Sequence, residues 1–168
     1  HNGYIDCQSQ LGRGTTFRLY FPVCRNKELR QESEADILSL AGQREKILLV
    51  DDIAQQLEIA SLILNSLNYT VYTAAGGEEA LLFLEAHNVD LVVLDMIMEP
   101  GIDGLETYKR MIAKKPGQKA IIASGYSETE RIQQAIQLGV SQYLKKPYSV
   151  ASLGQSVRNA LQSSGKIG

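Results

Sequence analysis

Positive charge is not in excess in this chain. Seventeen lysines and arginines face nineteen acids, the net charge is −2, and no stretch gathers the basic residues together. Nucleic acid is therefore not an implied partner. No apolar run approaches the roughly 20 residues of a membrane-spanning helix, and no signal peptide is visible. The residues themselves are thus expected to make no membrane contact. Cysteine is scarce: Cys7 and Cys24 stand far apart without a C-x-x-C spacing. That excludes an ordinary zinc site and fits reduced thiols in a cytoplasmic protein. The only histidines are His1, which is terminal, and His87, which ends a helical pattern. Neither is placed for catalysis. The chain starts at His1 rather than at methionine, so a piece of a longer protein is expected, and its ends say little about targeting.

What is present is an ordinary globular composition, 44% hydrophobic. The length suits one domain plus an appendage, and a domain of roughly 120 residues can bury a real core. Residues 1–24 read as two strands. Ile5 and Cys7 alternate with Asp6 and Gln8, and Phe17, Leu19 and Phe21 alternate with Arg18 and Tyr20. Gly12-Arg13-Gly14 is the expected turn. Residues 25–45 are polar and mixed in charge, with a weak helical patch around Ile37, Leu38 and Leu40, and read as a linker.

From Lys46 a strand–helix unit occurs five times. Ile47–Val50 is the first strand. Leu57, Ala60, Ile63, Leu64 and Leu67 then recur at helical spacing, with Asn68 as a left-handed stop. Thr70–Thr73 is a strand, Glu78–Ala86 a helix, Asp90–Leu94 a strand and Gly104–Lys114 a helix. Ala120–Ala123 is the fourth strand. Ser127 and Glu130 form a capping box for a helix that stops at Gly139. The fifth strand centres on Tyr143, and Ser149 caps a last helix with Leu153, Val157 and Leu161 inward. Residues 163–168 read as a tail. Strands that alternate with helices form a parallel sheet with right-handed crossovers. The third strand is almost wholly apolar and must be covered on both faces. The expected fold is α/β, a doubly wound five-stranded parallel sheet in a three-layer sandwich.

The carboxyl ends of such strands lie along one edge, where ligands bind. Asp51-Asp52 ends the first strand and Asp95 the third. Ser124 ends the fourth and Lys145-Lys146 the fifth. Singly, Asp51 and Asp52 would cap a helix and Asp95 a turn. Together they crowd like charges, which a hard dication relieves; Mg²⁺ suits a few carboxylates plus phosphate oxygens. A carboxylate there can be a nucleophile on phosphorus, with Lys146 and the Ser124 hydroxyl on the phosphoryl oxygens. Lys145 should point to the opposite face. Flavin binding is disfavoured by the two acids after the first strand. An aspartyl phosphatase is disfavoured by Ile97 where a second acid is needed.

Lys46 to Gln162 resembles the receiver domain of two-component response regulators. The motifs are Leu49-Val50-Asp51-Asp52, Leu94-Asp95, Pro100-Gly101-Ile102-Asp103-Gly104, Ala123-Ser124-Gly125 and Tyr143-Leu144-Lys145-Lys146-Pro147-Tyr148. The resemblance implies the flavodoxin-like strand order 2-1-3-4-5. It implies Asp95 as phosphoacceptor, and Mg²⁺ held by Asp52, Asp95 and the Ile97 carbonyl, with Asp51 acting mainly through water. It further implies Ser124 and Tyr143 as a switch pair, Lys146 as the phosphate-sensing lysine and a cis Lys146–Pro147 bond. The donor implied is a phosphohistidine, on a histidine-kinase dimerisation/phosphotransfer domain or on a separate phosphotransfer protein. The switched surface is that of the fourth helix, fifth strand and fifth helix. Glu99 is one residue more than the usual loop after the phosphoacceptor, and Ser124 stands where threonine is commoner.

Gly3-Tyr4-Ile5 through Ser9, Gly12-Arg13-Gly14-Thr15-Thr16-Phe17 and Phe21-Pro22 resemble the last strands of a histidine-kinase ATP-binding domain. That implies a hybrid sensor histidine kinase as parent, which can be membrane-anchored elsewhere. These residues lack the nucleotide-binding boxes, so no ATP-dependent kinase activity is expected of them. The apolar face of the hairpin is expected to pair with another copy or to lie against the receiver. A homodimer through the hairpin, or through the fourth-helix, fifth-strand and fifth-helix face, is a further expectation. The competing reading is an interaction module of this fold that is never phosphorylated.

Overall fold

A computed structural model describes residues 2–23, 39–125 and 129–163. The chain divides into two compact units, His1–Gln31 and Glu32–Gly168. The first is an antiparallel hairpin of β1 (Tyr4–Gln10) and β2 (Gly14–Tyr20). Its turn spans Leu11 to Arg13, and Gly14 already belongs to β2. Gly12 and Gly14 have φ of +77° and +100°, which glycine adopts without steric cost. Ile5 pairs with Leu19 and Cys7 with Phe17, so one face is apolar. Phe17 and Leu19 nonetheless remain exposed, as two strands alone bury little. Cys24 lies outside the described residues.

The second unit holds β3 (Lys46–Val50), α1 (Ala54–Ser66), β4 (Thr70–Ala74), α2 (Gly77–Ala86), β5 (Leu91–Asp95) and α3 (Gly104–Lys114). β6 (Ala120–Ser124), α4 (Thr129–Gln137), β7 (Gln142–Lys145) and α5 (Val150–Gln162) complete it. All strand pairs are parallel, in the order β4-β3-β5-β6-β7, which is the expected 2-1-3-4-5.

The period of two along each strand splits the core into two layers. Leu48, Val50, Val92, Leu94 and Ile122 face one layer, with Ala80, Leu84, Leu105, Tyr108 and Met111 from α2 and α3. Ile47, Leu49, Leu91, Val93, Ile121 and Leu144 face the other, with Leu64, Leu153 and Val157 from α1 and α5. Asn68 follows α1 with φ of +64°, the left-handed stop its residue type allows. Ser149 caps α5 and exchanges hydrogen bonds with Ser152.

Several element boundaries differ from the sequence reading. β4, β5 and β6 run one residue further, to Ala74, Asp95 and Ser124, and α2 begins at Gly77. Pairing is a backbone property: Asp95 sits in register with Ala123, and Ser124 with Lys145, whatever their side chains. Asp90 falls outside β5 and accepts the Lys46 N–H through Oδ2 at 2.7 Å. The Ser127 half of the predicted capping box lies outside the described residues, as do residues 24–38 of the stretch around the linker and 164–168 of the tail.

Residues 39–45, read as the end of the linker, pack onto the domain. Leu40 is 4% exposed and joins the α1/α5 layer. Its carbonyl accepts the Tyr69 hydroxyl at 3.1 Å. The Gly42 N–H donates to the Leu67 carbonyl at 2.8 Å, and the Asn68 amide returns a bond to the Gly42 carbonyl. A Cβ on Gly154 would meet Leu67 at 2.7 Å and Leu40 at 3.1 Å, so α5 needs its glycine there.

Candidate functional site: an acidic cluster at the strand ends

Register decides which side chains meet. Asp51, Asp95 and Lys146 continue the alternation of Leu49, Val93 and Leu144, so all three emerge on the α1/α5 side of the sheet. The Lys146 Nζ donates to Asp51 Oδ2 at 2.6 Å and to Asp95 Oδ1 at 2.7 Å. Both carboxylates are buried, at 6% and 7% residue exposure. Lys145, one step out of phase, is exposed. The Lys146 N–H also donates to the Ser124 carbonyl at 2.8 Å, and the following bond to Pro147 is cis, as expected.

Asp51 has two tasks. Its Oδ2 holds Lys146, and its Oδ1 accepts the Ile53 N–H at 2.9 Å, which satisfies a free donor at the start of α1. The N-cap of α1 is Ile53, without a side-chain cap, so Asp51 secures the turn before the helix rather than capping it. Asp52 is more open to solvent and accepts the Glu99 N–H at 3.1 Å. Carboxylate oxygens of Asp51, Asp52 and Asp95 lie within 4.8 Å of one another. Three acids face one ammonium, so the cluster retains negative charge after Lys146 is counted. Hard oxygen donors at this spacing, partly withdrawn from water, fit a divalent cation such as Mg²⁺. Ile97, whose carbonyl is the remaining candidate ligand, is half-exposed on the loop that leaves Asp95.

Burial pushes the Asp95 carboxyl above its ordinary range; the hydrogen bond from Lys146 opposes this without cancelling it. Burial alone would lower the Lys146 ammonium, but its bonds to Asp51 and Asp95 outweigh that and hold it above its ordinary range. The pair therefore meets an incoming ligand with the lysine charged.

Ser124 and Tyr143 emerge toward the α4 side. Ser124 is 1% exposed, whereas the Tyr143 ring is partly open. The Tyr143 hydroxyl donates to the Ser124 and Gly125 carbonyls, each at 3.4 Å, near the limit of a hydrogen bond. Gly104 lets α3 close over the site. A Cβ there would fall 2.1 Å from the Asp95 carbonyl oxygen, while its N–H donates to the Met96 carbonyl at 3.0 Å.

Three features escaped the sequence reading. Glu99, in the loop after Asp95, reaches Asp52 through its backbone, which no side-chain pattern reveals. Glu99–Pro100 is a second cis peptide. Tyr148 lines a cavity of about 10 Å³ with Asp51, Asp95, Lys146 and Ala60, and burial raises its phenol. Its position two residues after Lys146 was a signal, since Lys146, Pro147 and Tyr148 round one turn.

Comparison with known proteins matches this geometry. Residues 47–158 match the model of the response regulator receiver domain. Sporulation initiation phosphotransferase F of Bacillus subtilis is 34% identical over 117 residues, covering 70% of this chain and 94% of that protein. Sensor kinase CckA of Brucella abortus is 30% identical over 174 residues. That match takes in 95% of this chain, hairpin included, but the chain spans only 18% of the kinase. A crystal structure of the response regulator TrrA from Thermotoga maritima, in complex with Mg²⁺ and BeF, superposes with a TM-score of 0.62 at 33% identity. It covers 69% of this chain and 98% of that one. With its sheet order, its acidic strand ends and these relatives, the chain belongs to the response regulator receiver domain family of two-component signalling.

Proposed function

We propose that this receiver domain takes a phosphoryl group from a phosphohistidine onto Asp95. The observation that carries the reading is the Lys146 ammonium shared between Asp51 and Asp95 at the edge where the strands end. One Asp95 oxygen stays with Lys146 while the other attacks phosphorus. A P–O bond to the carboxylate forms, the P–N bond to the donor imidazole breaks, and its electron pair returns to the ring. Lys146 is close enough to follow the transferred group and pair with one of its oxygens. Asp51, Asp52, Asp95 and the Ile97 carbonyl would hold Mg²⁺, which supplies positive charge to the phosphoryl oxygens when bound. The relative from Thermotoga maritima, solved with Mg²⁺ and BeF, supports that assignment.

Ser124 and Tyr143 carry the response. The Ser124 hydroxyl turns to the new phosphoryl oxygens. Tyr143 gives up its long bonds to the Ser124 and Gly125 carbonyls and rotates inward, which shifts the surface of α4, β7 and α5. The donor is a histidine-kinase phosphotransfer domain or a separate phosphotransfer protein. The parent is a hybrid sensor kinase; the extent of the match to CckA, hairpin included, supports this.

Trapping of beryllofluoride tests the reading. The whole chain should bind it only with Mg²⁺ present, and Asp95→Asn should abolish binding. Trapping that survives Asp95→Asn, or none by the unaltered chain, would favour an interaction module that is never phosphorylated.

A further inference from the structure

The loop from β5 to α3 is held at two shoulders. On the near side the Glu99 N–H donates to Asp52 Oδ2 at 3.1 Å. On the far side the Ile102 N–H donates to Glu78 Oε1, also at 3.1 Å. Between them Gly101 has φ of +119° and lies flat against the Glu78 carboxylate; a Cβ there would come within 2.6 Å of its Oε2. Gly77, beside Glu78, lets Ile102 approach α2 just as closely, since a Cβ on it would sit 2.6 Å from Ile102 Cγ1. Met98 is buried in the α2/α3 layer, while Ile97, Glu99, Pro100 and Gly101 are exposed. Glu79, the other acid in this first turn, is used elsewhere and accepts the Ala75 N–H at 2.7 Å.

We propose that Glu78 of α2 is a positioning residue for the acidic cluster: it fixes the β5–α3 loop so that the Glu99 N–H orients Asp52 and the Ile97 carbonyl stays in reach of the same ion. The inference rests on the Mg²⁺ site proposed above. The chemical reason is that a carboxylate free to rotate loses affinity for a hard cation that demands near-ideal octahedral geometry. Outer partners of metal ligands are set by this need. The loop is tied to Asp52 on one side, and Glu78 braces its other side from a helix outside the acidic cluster.

The test is Mg²⁺ titration of the whole chain by calorimetry, with thermal unfolding alongside. Glu78→Ala should weaken Mg²⁺ binding by about fivefold, less than loss of a direct outer partner, with the melting temperature nearly unchanged. Glu78→Gln keeps an acceptor for the Ile102 N–H and should stay within about twofold of the unaltered chain. A pure field effect of the lost charge would weaken both variants alike, and that result overturns the proposal. Gly101→Ala, which pushes the loop off Glu78, should reproduce the loss; full affinity in this variant also overturns it. Asp52→Asn separates the two levels. If the unaltered chain takes up no Mg²⁺, or takes it up regardless of Asp52, the reading of the site fails. If binding depends on Asp52 but ignores Glu78→Ala, only the brace fails.

Discussion

Replacing Lys146 by methionine removes a charge while roughly keeping the length and apolar stem of the side chain. On an exposed surface the loss of an ion pair would cost under about 1 kcal/mol. Here the Lys146 side chain is 18% exposed and its partners are 8% and 10% exposed, so water screens the contact poorly. Removing one member of a buried pair costs about 3–5 kcal/mol, because the partner is left charged and unpaired. Two carboxylates lose their cation in this case. Asp95, already raised by burial, can respond by taking up a proton, which limits the loss to the lower end of that range. The expected cost is therefore about 3 kcal/mol, or a fall of about 10 °C in melting temperature for a domain of this size. Urea unfolding followed by circular dichroism, at neutral pH with a chelator, reads this as a lower midpoint at unchanged slope. Millimolar Mg²⁺ should stabilise Lys146→Met more than the unaltered chain, since the ion then supplies the missing charge. Lowering the pH toward the carboxylate range should shrink the difference. A loss within about 0.5 kcal/mol, the ordinary scatter of surface substitutions, would refute the claim that Lys146 neutralises a buried acidic pair.

Asp95→Asn should act in the opposite direction. The folded-state value of Asp95 lies above its unfolded value, so its contribution to stability is complete below the ordinary aspartate range and is lost as pH rises through the folded value. At neutral pH the ionised carboxylate opposes folding, so the asparagine variant should unfold at higher urea than the unaltered chain. That advantage should disappear in acid; an advantage that persists there would contradict the assignment. Leu40→Ala should cost about 2–3 kcal/mol, because Leu40 fills the space between α1 and α5. A neutral result would place residues 39–45 outside the cooperative unit.

The sheet was legible because its signals are redundant. Ile47–Val50, Leu91–Leu94 and Ala120–Ala123 are apolar on both faces, and each is followed by a polar residue that a parallel sheet carries to one edge. Hence Asp51, Asp95 and Lys146, distant in the chain, were readable as neighbours. The phase of Leu144 also separated Lys146 from Lys145. Leu40 was harder to read, as the short patch of Ile37, Leu38 and Leu40 in a polar stretch is too brief to announce a packed segment. The hold of Glu99 on Asp52 was invisible, since it uses an amide that every residue but proline possesses. The ends of β5 and β6 moved by a residue for a related reason: hydropathy tracks side chains, whereas a ladder is made by backbone groups. Tyr148 stands in the motif that runs from Tyr143 to Tyr148 without a role of its own, since a motif does not show which side chain lines a cavity.

The tether formed by Leu40, Gly42 and Arg44 grips the chain where α1 gives way to β4, at the rim where the strands begin. The acidic residues occupy the far rim, a full strand length away. Residues 39–45 thus brace the α1/α5 layer from its floor, at the opposite end of the strands from the carboxylates. A substitution in this stretch should therefore loosen the helix packing while the strand-end carboxylates keep their own partners.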